Sequence, residues 1–316
     1  MPLRIDYHDT YVHELMLRDR IRCEAFARAL RELVTPGSAV LDIGAGTGLL
    51  SIFAAQAGAR ITYAVERTRT AELAQRIVAE NGLADRIRVF QDDMESAELP
   101  ERVDLIVSEW LGGYGIDENL LPMVVQARDR WLKPGGIMIP STVSSWMAPS
   151  FDDELEEDVQ FWKQHPYGVD LSAIGDGVSR QLHCSRNNVK EEHLLSDPQK
   201  MWEIDARSVS FEVSTKTFES KMTFICRRSG QCNSFAAWFE ARLSQGNVLS
   251  NRPSNEYTHW GRWVFPIGRS INVDKGMRID LHFSLIPDGI RHSKAVWEGH
   301  AADYSFSSED LTSLAK

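Results

Sequence analysis

Residues Val40-Leu41-Asp42-Ile43-Gly44-Ala45-Gly46-Thr47-Gly48 constrain this chain more than any other stretch. An apolar run ends in an acid, three glycines alternate with small residues, and Leu49-Leu50-Ser51-Ile52-Phe53-Ala54-Ala55 follows as an apolar helix. That order predicts a strand, a tight turn and a helix start. Glycine lets the backbone approach a ligand where any Cβ would clash. The spacing is G-x-G-x-G rather than the G-x-G-x-x-G of dinucleotide folds. A second apolar strand, Tyr63-Ala64-Val65-Glu66, ends in an acid 24 residues after Asp42, where βαβ units place a ribose-binding carboxylate.

Around that loop, residues 39–140 alternate strand and helix. Strands read at 39–43, 60–66, 86–91, 103–108 and 136–140, and helices at 49–57, 68–81 and 117–132. Such alternation predicts a parallel sheet with helices on both faces and ligands at the carboxyl ends of the strands. Gly44, Gly46, Glu66, Met94, Glu95 and Glu109 all fall at such ends. Leu132 to Gly136 reads as a helix stop and turn. Upstream, apolar residues recur at helical spacing from His13 to Val34, and Pro36-Gly37 stops the pattern. Tyr7 and Tyr11 would share a helical face, and His13, Asp19 and Arg22 are placed to cover the ligand of the core fold.

From about residue 143 the texture changes. Segments 209–213, 221–226, 236–243, 263–267 and 278–286 are strand-like and separated by turns, which predicts an antiparallel, barrel-like β domain. The expected organisation is a helical lid at 1–36, a cofactor-binding domain at 37–142 and a β domain at 143–316. The acidic run 152–158 reads as a solvated face or domain junction. The polar, irregular stretch 161–200, with Phe161, Trp162 and Tyr167, reads as a functional loop or an interface arm.

A length of 316 residues suits two domains, and a net charge of −10 argues against a nucleic-acid partner. Cys23, Cys184, Cys226 and Cys232 follow no disulfide or metal framework, which predicts free thiols in a reducing, cytoplasmic setting. The first residues do not read as a signal peptide, and no run of about 20 apolar residues would span a membrane.

The second informative stretch runs from Val107 to Glu118. A strand ends in Glu109, three glycines follow within six residues, and Glu118 is expected to open a helix nine positions on. A glycine-rich turn of that length can bring two carboxylates together. Unpaired, they would repel and take up a proton; a cation between them removes the problem. Guanidinium fits best, being planar with five donors matched to carboxylates. Metal binding is the competing chemistry, and no metal is expected. Farther on, His259 stands in a loop beside Trp260, whose indole can wall a cationic site.

Together these residues resemble the protein arginine methyltransferase family, whose glycine loop is that of Rossmann-like methyltransferases. Five motifs stand in the family's order: Tyr7–Tyr11; His13-Glu14-Leu15-Met16-Leu17 with Asp19 and Arg22; Asp42–Gly48 with Glu66; Ser108-Glu109-Trp110 with Glu118; and Thr258-His259-Trp260. The likeness runs from about Tyr7 to the end and thins after Gly268. It implies a Rossmann-like S-adenosylmethionine-dependent methyltransferase domain, then an antiparallel β-barrel domain with a dimerisation arm at about 161–186, in a homodimer. It implies that Glu109 and Glu118 grip the substrate guanidinium and that His259 pairs with Asp19. His13, Met16, Arg22, Asp42, Gly44, Gly46, Glu66, Met94 and Glu95 become cofactor contacts, with Glu95 near the adenine. Tyr7 and Tyr11 become a lid over cofactor and substrate, with Trp260 on the substrate side.

The departures cluster around the substrate. His8 stands where asymmetric-dimethylating members usually have Phe, and four residues between Tyr11 and His13 are deleted. Gly112-Gly113 replaces the usual Gly-Tyr, and Gly261 follows Trp260 where a lysine is common. Met16 matches a position that limits pocket shape, and Leu120 stands where asymmetric-dimethylating members often carry Met. The expected activity is methyl transfer to a guanidino nitrogen of arginine, free or peptide-bound, giving Nω-monomethylarginine. Asymmetric dimethylation of protein arginine is the alternative. A catalytically silent dimerising partner is a third, opposed by the retained glutamates and cofactor glycines.

Overall fold

A computed structural model describes residues 10–185, 189–289 and 292–309. Tyr7 and His8 lie outside the described residues. The chain opens with two helices, α1 (Thr10–Arg18) and α2 (Arg20–Leu33), where the apolar spacing suggests one. Asp19 separates them: its carboxylate accepts the Arg22 N–H at 2.9 Å and caps α2. Helix α2 buries Phe26, Ala29 and Leu30.

Next come β1 (Ala39–Ile43), α3 (Leu49–Gln56), β2 (Ile61–Val65), α4 (Thr70–Glu80), β3 (Ile87–Phe90), β4 (Val103–Ser108), α5 (Leu121–Trp131) and β5 (Leu132–Ile139). The five strands form a parallel sheet in the order β3-β2-β1-β4-β5. Strands β1 and β2 are buried along their whole length, as continuous apolar runs in a covered sheet must be. Strand order reverses between β1 and β4, so their carboxyl ends flank the crevice where such sheets take ligands.

Two expectations here are corrected. Helix α5 starts at Leu121, not 117, because Asn119 takes a left-handed φ of 53° and Pro122 sits in the first turn. Glu118 therefore lies in the turn before α5. The stretch from Leu132 to Gly136 is the start of β5 rather than a turn, and its register on β4 slips between Val103 and Leu105.

The rest of the chain comprises β6 (Thr142–Ser150), α6 (Asp153–Lys163), α7 (Ser172–Val178), β7 (His183–Ser185), β8 (Gln199–Asp205), α8 (Phe211–Ser214), β9 (Phe218–Ile225), β10 (Gly230–Ser244), β11 (Asn247–Ser250), β12 (Arg262–Val273), β13 (Arg278–Pro287), β14 (Ser293–Ala301) and β15 (Tyr304–Ser307). The barrel-like expectation resolves into two antiparallel sheets, β7-β12-β10-β6-β8 with β11 on β10, and β15-β14-β13-β9. Phe224, Phe235, Phe239, Phe265, Phe283 and Trp297 fill their core. The strand expected at 209–213 is instead helix α8, capped by Ser210, whose hydroxyl accepts the Val213 N–H.

The acidic run is a solvated face only in part, with Asp153 and Glu157 exposed. Asp152 caps α6 through the Leu155 N–H at 2.7 Å, and Asp152 and Glu154 are both buried. Helices α6 and α7, joined by a short 3-10 turn at Pro166–Gly168, carry Phe161, Tyr167, Val169 and Ile174 in the open, Tyr167 at 99% exposure. Helix α2 bridges the parallel sheet and the β domain, since Asn247 donates to the Ala25 carbonyl at 2.9 Å and Ser244 to Glu32 at 2.5 Å.

Candidate active site

On the β1 side of the crevice, the glycine loop turns through three left-handed residues, Gly44, Gly46 and Gly48, before α3. A Cβ at Gly44 would meet nothing within 4 Å, so ligand has room there. A Cβ at Gly46 would lie 3.2 Å from the imidazole of His13, so α1 lies over the loop. Nε2 of His13 sits 3.4 Å from the Thr70 hydroxyl at the start of α4. Glu66 braces the loop, accepting the Gly46 N–H at 2.9 Å and the Thr68 N–H at 2.8 Å. Asp42 is fully buried. One of its oxygens accepts the Ser51 hydroxyl at 2.6 Å, and the other, Oδ1, is buried with no partner. Burial pushes the Asp42 carboxyl up to about 6. An orphaned acceptor beneath an open glycine turn fits a ligand that brings a donor or a positive charge.

Of the remaining expected cofactor contacts, Met94 is buried, whereas Glu95 is exposed and its carbonyl accepts from Arg130 at 3.1 Å. Met16 and Tyr11 lie on α1, with Tyr11 61% exposed. Sulfur of Met16 stands 3.9 Å from an Arg22 nitrogen.

On the β4 side, Ser108 ties the strand end to β1 by donating to the Ile43 carbonyl at 2.9 Å. Glu109 follows, and Arg22 reaches it: Nη2 and Nε donate to Oε2 at 2.9 and 3.2 Å. Both side chains are nearly enclosed, 9% and 11% exposed. Burial works against the charge on Arg22, but the facing Glu109 carboxylate outweighs it and raises the arginine's pKa. The other Glu109 oxygen accepts the Leu111 N–H at 2.9 Å. Arg22, expected as a cofactor contact, thus also neutralises the first of the paired glutamates.

Past Glu109 the chain makes a tight turn, with Gly112 and Gly115 exchanging backbone hydrogen bonds at 2.9 and 3.4 Å. Asp117 folds beneath the turn and accepts the Gly113 and Tyr114 N–H groups, each at 3.0 Å. Enclosure pushes its carboxyl up to about 6. Tyr114 plants its ring in the β-domain core, edge-on to Phe265 at 5.2 Å, and Ser145 donates to its carbonyl at 2.6 Å. Glu118, half-buried, comes next.

The third wall is the loop before β12. His259 Nδ1 lies 2.8 Å from Asp19 Oδ2, and the His259 N–H donates to the same oxygen at 2.9 Å. Burial opposes ionisation of Asp19, but the bonds from His259 and the Arg22 N–H hold its pKa below the usual carboxylate value. A carboxylate at Nδ1 makes that nitrogen the N–H and leaves Nε2 as the ring's basic position. Trp260 is buried beside it, its ring 4.1 Å from the imidazole of His259; it packs edge-on to Phe239 and donates its indole N–H to the Leu111 carbonyl at 2.7 Å. It fastens the glutamate hairpin to the histidine loop.

Other residues that hold the site together had no signal in the sequence. Asn251, fully buried, donates to the carbonyls of Gly113 at 2.7 Å and Gly261 at 3.2 Å. Arg262, 2% exposed, gathers the carbonyls of Asn251, Asn255 and Glu256 at 2.5, 2.8 and 3.4 Å, and its burial pushes its pKa down. Trp263 packs on the hairpin and donates to the Trp260 carbonyl at 2.8 Å. Each acts on backbone, which carries no residue-type pattern to read.

Comparison with known proteins agrees with this geometry. A family model described as the arginine methyltransferase oligomerization subdomain matches residues 144–299, and a methyltransferase domain model matches residues 40–136. Protein arginine N-methyltransferase 6 of Xenopus tropicalis is 35% identical over 302 residues, 92% of this chain and 88% of its own length. Among solved structures, protein arginine methyltransferase 10 of Arabidopsis thaliana superimposes with a TM-score of 0.79 at 29% identity, over 95% of this chain and 97% of that one. The Trypanosoma brucei PRMT1 enzyme–prozyme complex with AdoHcy shares the fold, with a TM-score of 0.85 at 24% identity over 95% and 99% of the two chains.

Proposed function

The chain belongs to the protein arginine N-methyltransferase family, and from that premise we propose that it methylates arginine within a protein or peptide, giving Nω-monomethylarginine. It is an S-adenosylmethionine-dependent arginine methyltransferase. One observation carries the choice of substrate group: Glu109 already grips a guanidinium, that of Arg22, at 2.9 and 3.2 Å in a nearly closed site.

The cofactor, when bound, supplies an electrophilic methyl on a sulfonium. His13, Arg22, Asp42, Gly44, Gly46 and Glu66 would hold it, and the orphaned Asp42 oxygen suits its positive charge and donors. Glu109 and Glu118 draw the substrate's positive charge onto two guanidinium nitrogens and leave the third free to attack. Positioning and preorganised charge then supply most of the rate. The substrate pKa is above about 12, so its proton leaves with or after methyl transfer. His259, held by Asp19 through Nδ1, presents Nε2 to take it.

Free L-arginine is the second reading, favoured by Gly112 and Gly113, which leave the hairpin without side chains at its turn. Met16, against Arg22, supports stopping at one methyl, and asymmetric dimethylation is the alternative product. The exposed arm from α6 to β7 supports a homodimer, and the four free cysteines suit the cytoplasm. No helix among the described residues is long and apolar enough to cross a membrane.

The decisive experiment incubates purified protein with S-adenosylmethionine and either free arginine or a Gly-Arg-rich peptide, followed by mass spectrometry and chromatography against product standards. Peptide carrying a single methyl is the expected result. Methylated free arginine overturns the first reading in favour of the second. A symmetric dimethyl product contradicts both product assignments.

A further inference from the structure

Gly112 and Gly113 are both held to glycine by space, and at 112 a Cβ would overlap the Asp117 carboxylate. Gly115 has a φ of 119°, which disfavours any side chain, but Gly113 is not among the positive-φ residues. Nothing in its backbone asks for glycine. Space does: a Cβ there would overlap the indole Nε1, Cδ1 and Cε2 of Trp263. Trp263 cannot easily withdraw. Its Nε1 donates to the Trp260 carbonyl at 2.8 Å, its ring lies edge-on to Tyr114 at 6.3 Å, and it begins strand β12 between β7 and β10.

The same contact lies between two functional elements. On one side is the hairpin from Glu109 to Glu118, and on the other the loop that presents His259. Two hydrogen bonds join them beside the contact, Trp260 to the Leu111 carbonyl and Asn251 to the Gly113 carbonyl, each at 2.7 Å. With no side chain at 113, the hairpin backbone closes directly on the indole. A side chain there would hold the hairpin off and move the glutamates relative to His259.

We propose that Gly113 and Trp263 are a size-matched pair, and that Trp263 is the positioning residue that sets the gap between the paired glutamates and His259, and so the guanidine that fits. The proposal rests on the arginine reading above.

The test is a mutant cycle on the full chain: Gly113→Tyr, Trp263→Thr and both together, with Gly113→Ala and Trp263→Phe as milder forms should a single variant fail to fold. For each, kcat and KM for the arginine substrate, affinity for S-adenosylhomocysteine, and Tm are measured. Each single change is expected to lower kcat/KM about tenfold or more, and the double change to recover most of it, a coupling typical of residues in contact. Affinity for S-adenosylhomocysteine should stay within about twofold, because the cofactor elements are untouched. Additive losses in the double variant, or lower Tm with unchanged kcat/KM, would overturn the pair. Glu118→Gln in the same assay separates the two ideas. A normal rate there sinks the arginine reading itself, whereas an inactive Glu118→Gln alongside additive losses sinks only the pair.

Discussion

Glu109 faces two demands at once. It must hold a substrate guanidinium, and it must stay oriented in a nearly dry cleft. Arg22 and the Leu111 N–H fix its direction, one on each carboxylate oxygen. Replacing Glu109 or Glu118 by Gln should remove a charge-assisted contact made to substrate, costing about 2–5 kcal/mol of transition-state stabilisation, roughly 30- to several-thousand-fold in rate. Calorimetry should find S-adenosylhomocysteine still bound by Glu118→Gln. Normal turnover with lower stability would instead make Glu118 a structural residue. Asp42 carries a second prediction. Its folded pKa of about 6 lies above the ordinary carboxylate value, so the ionised form is the costly one and folding is relieved of that cost as pH falls through 6. Cofactor binding runs the other way, because the cationic cofactor favours the ionised carboxylate. Affinity for S-adenosylmethionine should therefore fall below about pH 6, by up to about tenfold per pH unit, and Asp42→Asn should flatten the profile. A flat wild-type profile from pH 5 to 8 would remove Asp42 from the cofactor site.

At the scale of elements, the glycine loop and the glutamate hairpin are both turns defined by what a side chain would strike. In the loop, Gly46 has a φ of 53° and its missing Cβ would press on His13 at 3.2 Å. Gly46→Val adds backbone strain and a β-branched clash just where α1 covers the loop. Binding of S-adenosylhomocysteine should be lost while circular dichroism and cooperative unfolding persist. Retained affinity would place the cofactor elsewhere. The hairpin differs in that its contacts are to the β domain, through Tyr114, Asn251 and Trp263. It therefore depends on the two sheets being correctly stacked, whereas the glycine loop depends chiefly on the parallel sheet.

For the whole molecule, the arm from α6 to β7 displays Phe161, Tyr167, Val169 and Ile174 on one short stretch, more apolar surface than a lone chain usually leaves in water. Sedimentation should find a species of about twice the 35.8 kDa chain mass at micromolar concentration. Tyr167→Ser, at a position 99% exposed in the single chain, should leave Tm of the monomer unchanged and weaken self-association by about 2 kcal/mol or more. A monomer in the unmutated protein would contradict the homodimer. The sequence alone determined the parallel sheet, its glycine loop, Glu66 and the change to antiparallel strands. Apolar runs, glycine spacing and strand-ending acids act within a few residues of chain, where local backbone preference decides. The pairing of Asp19 with His259, 240 residues apart, was legible only because their motifs resemble a family's. Helix α8 at 211–214 defeated the pattern, since one serine cap outweighed an apolar alternation. Only the tertiary structure decided that Arg22 reaches Glu109 across 87 residues, that Asn251 holds Gly113 across 138, and that Trp263 fills the space beside Gly113. Those contacts depend on how the β domain stacks against the parallel sheet, and most of them end on backbone atoms that every residue type shares.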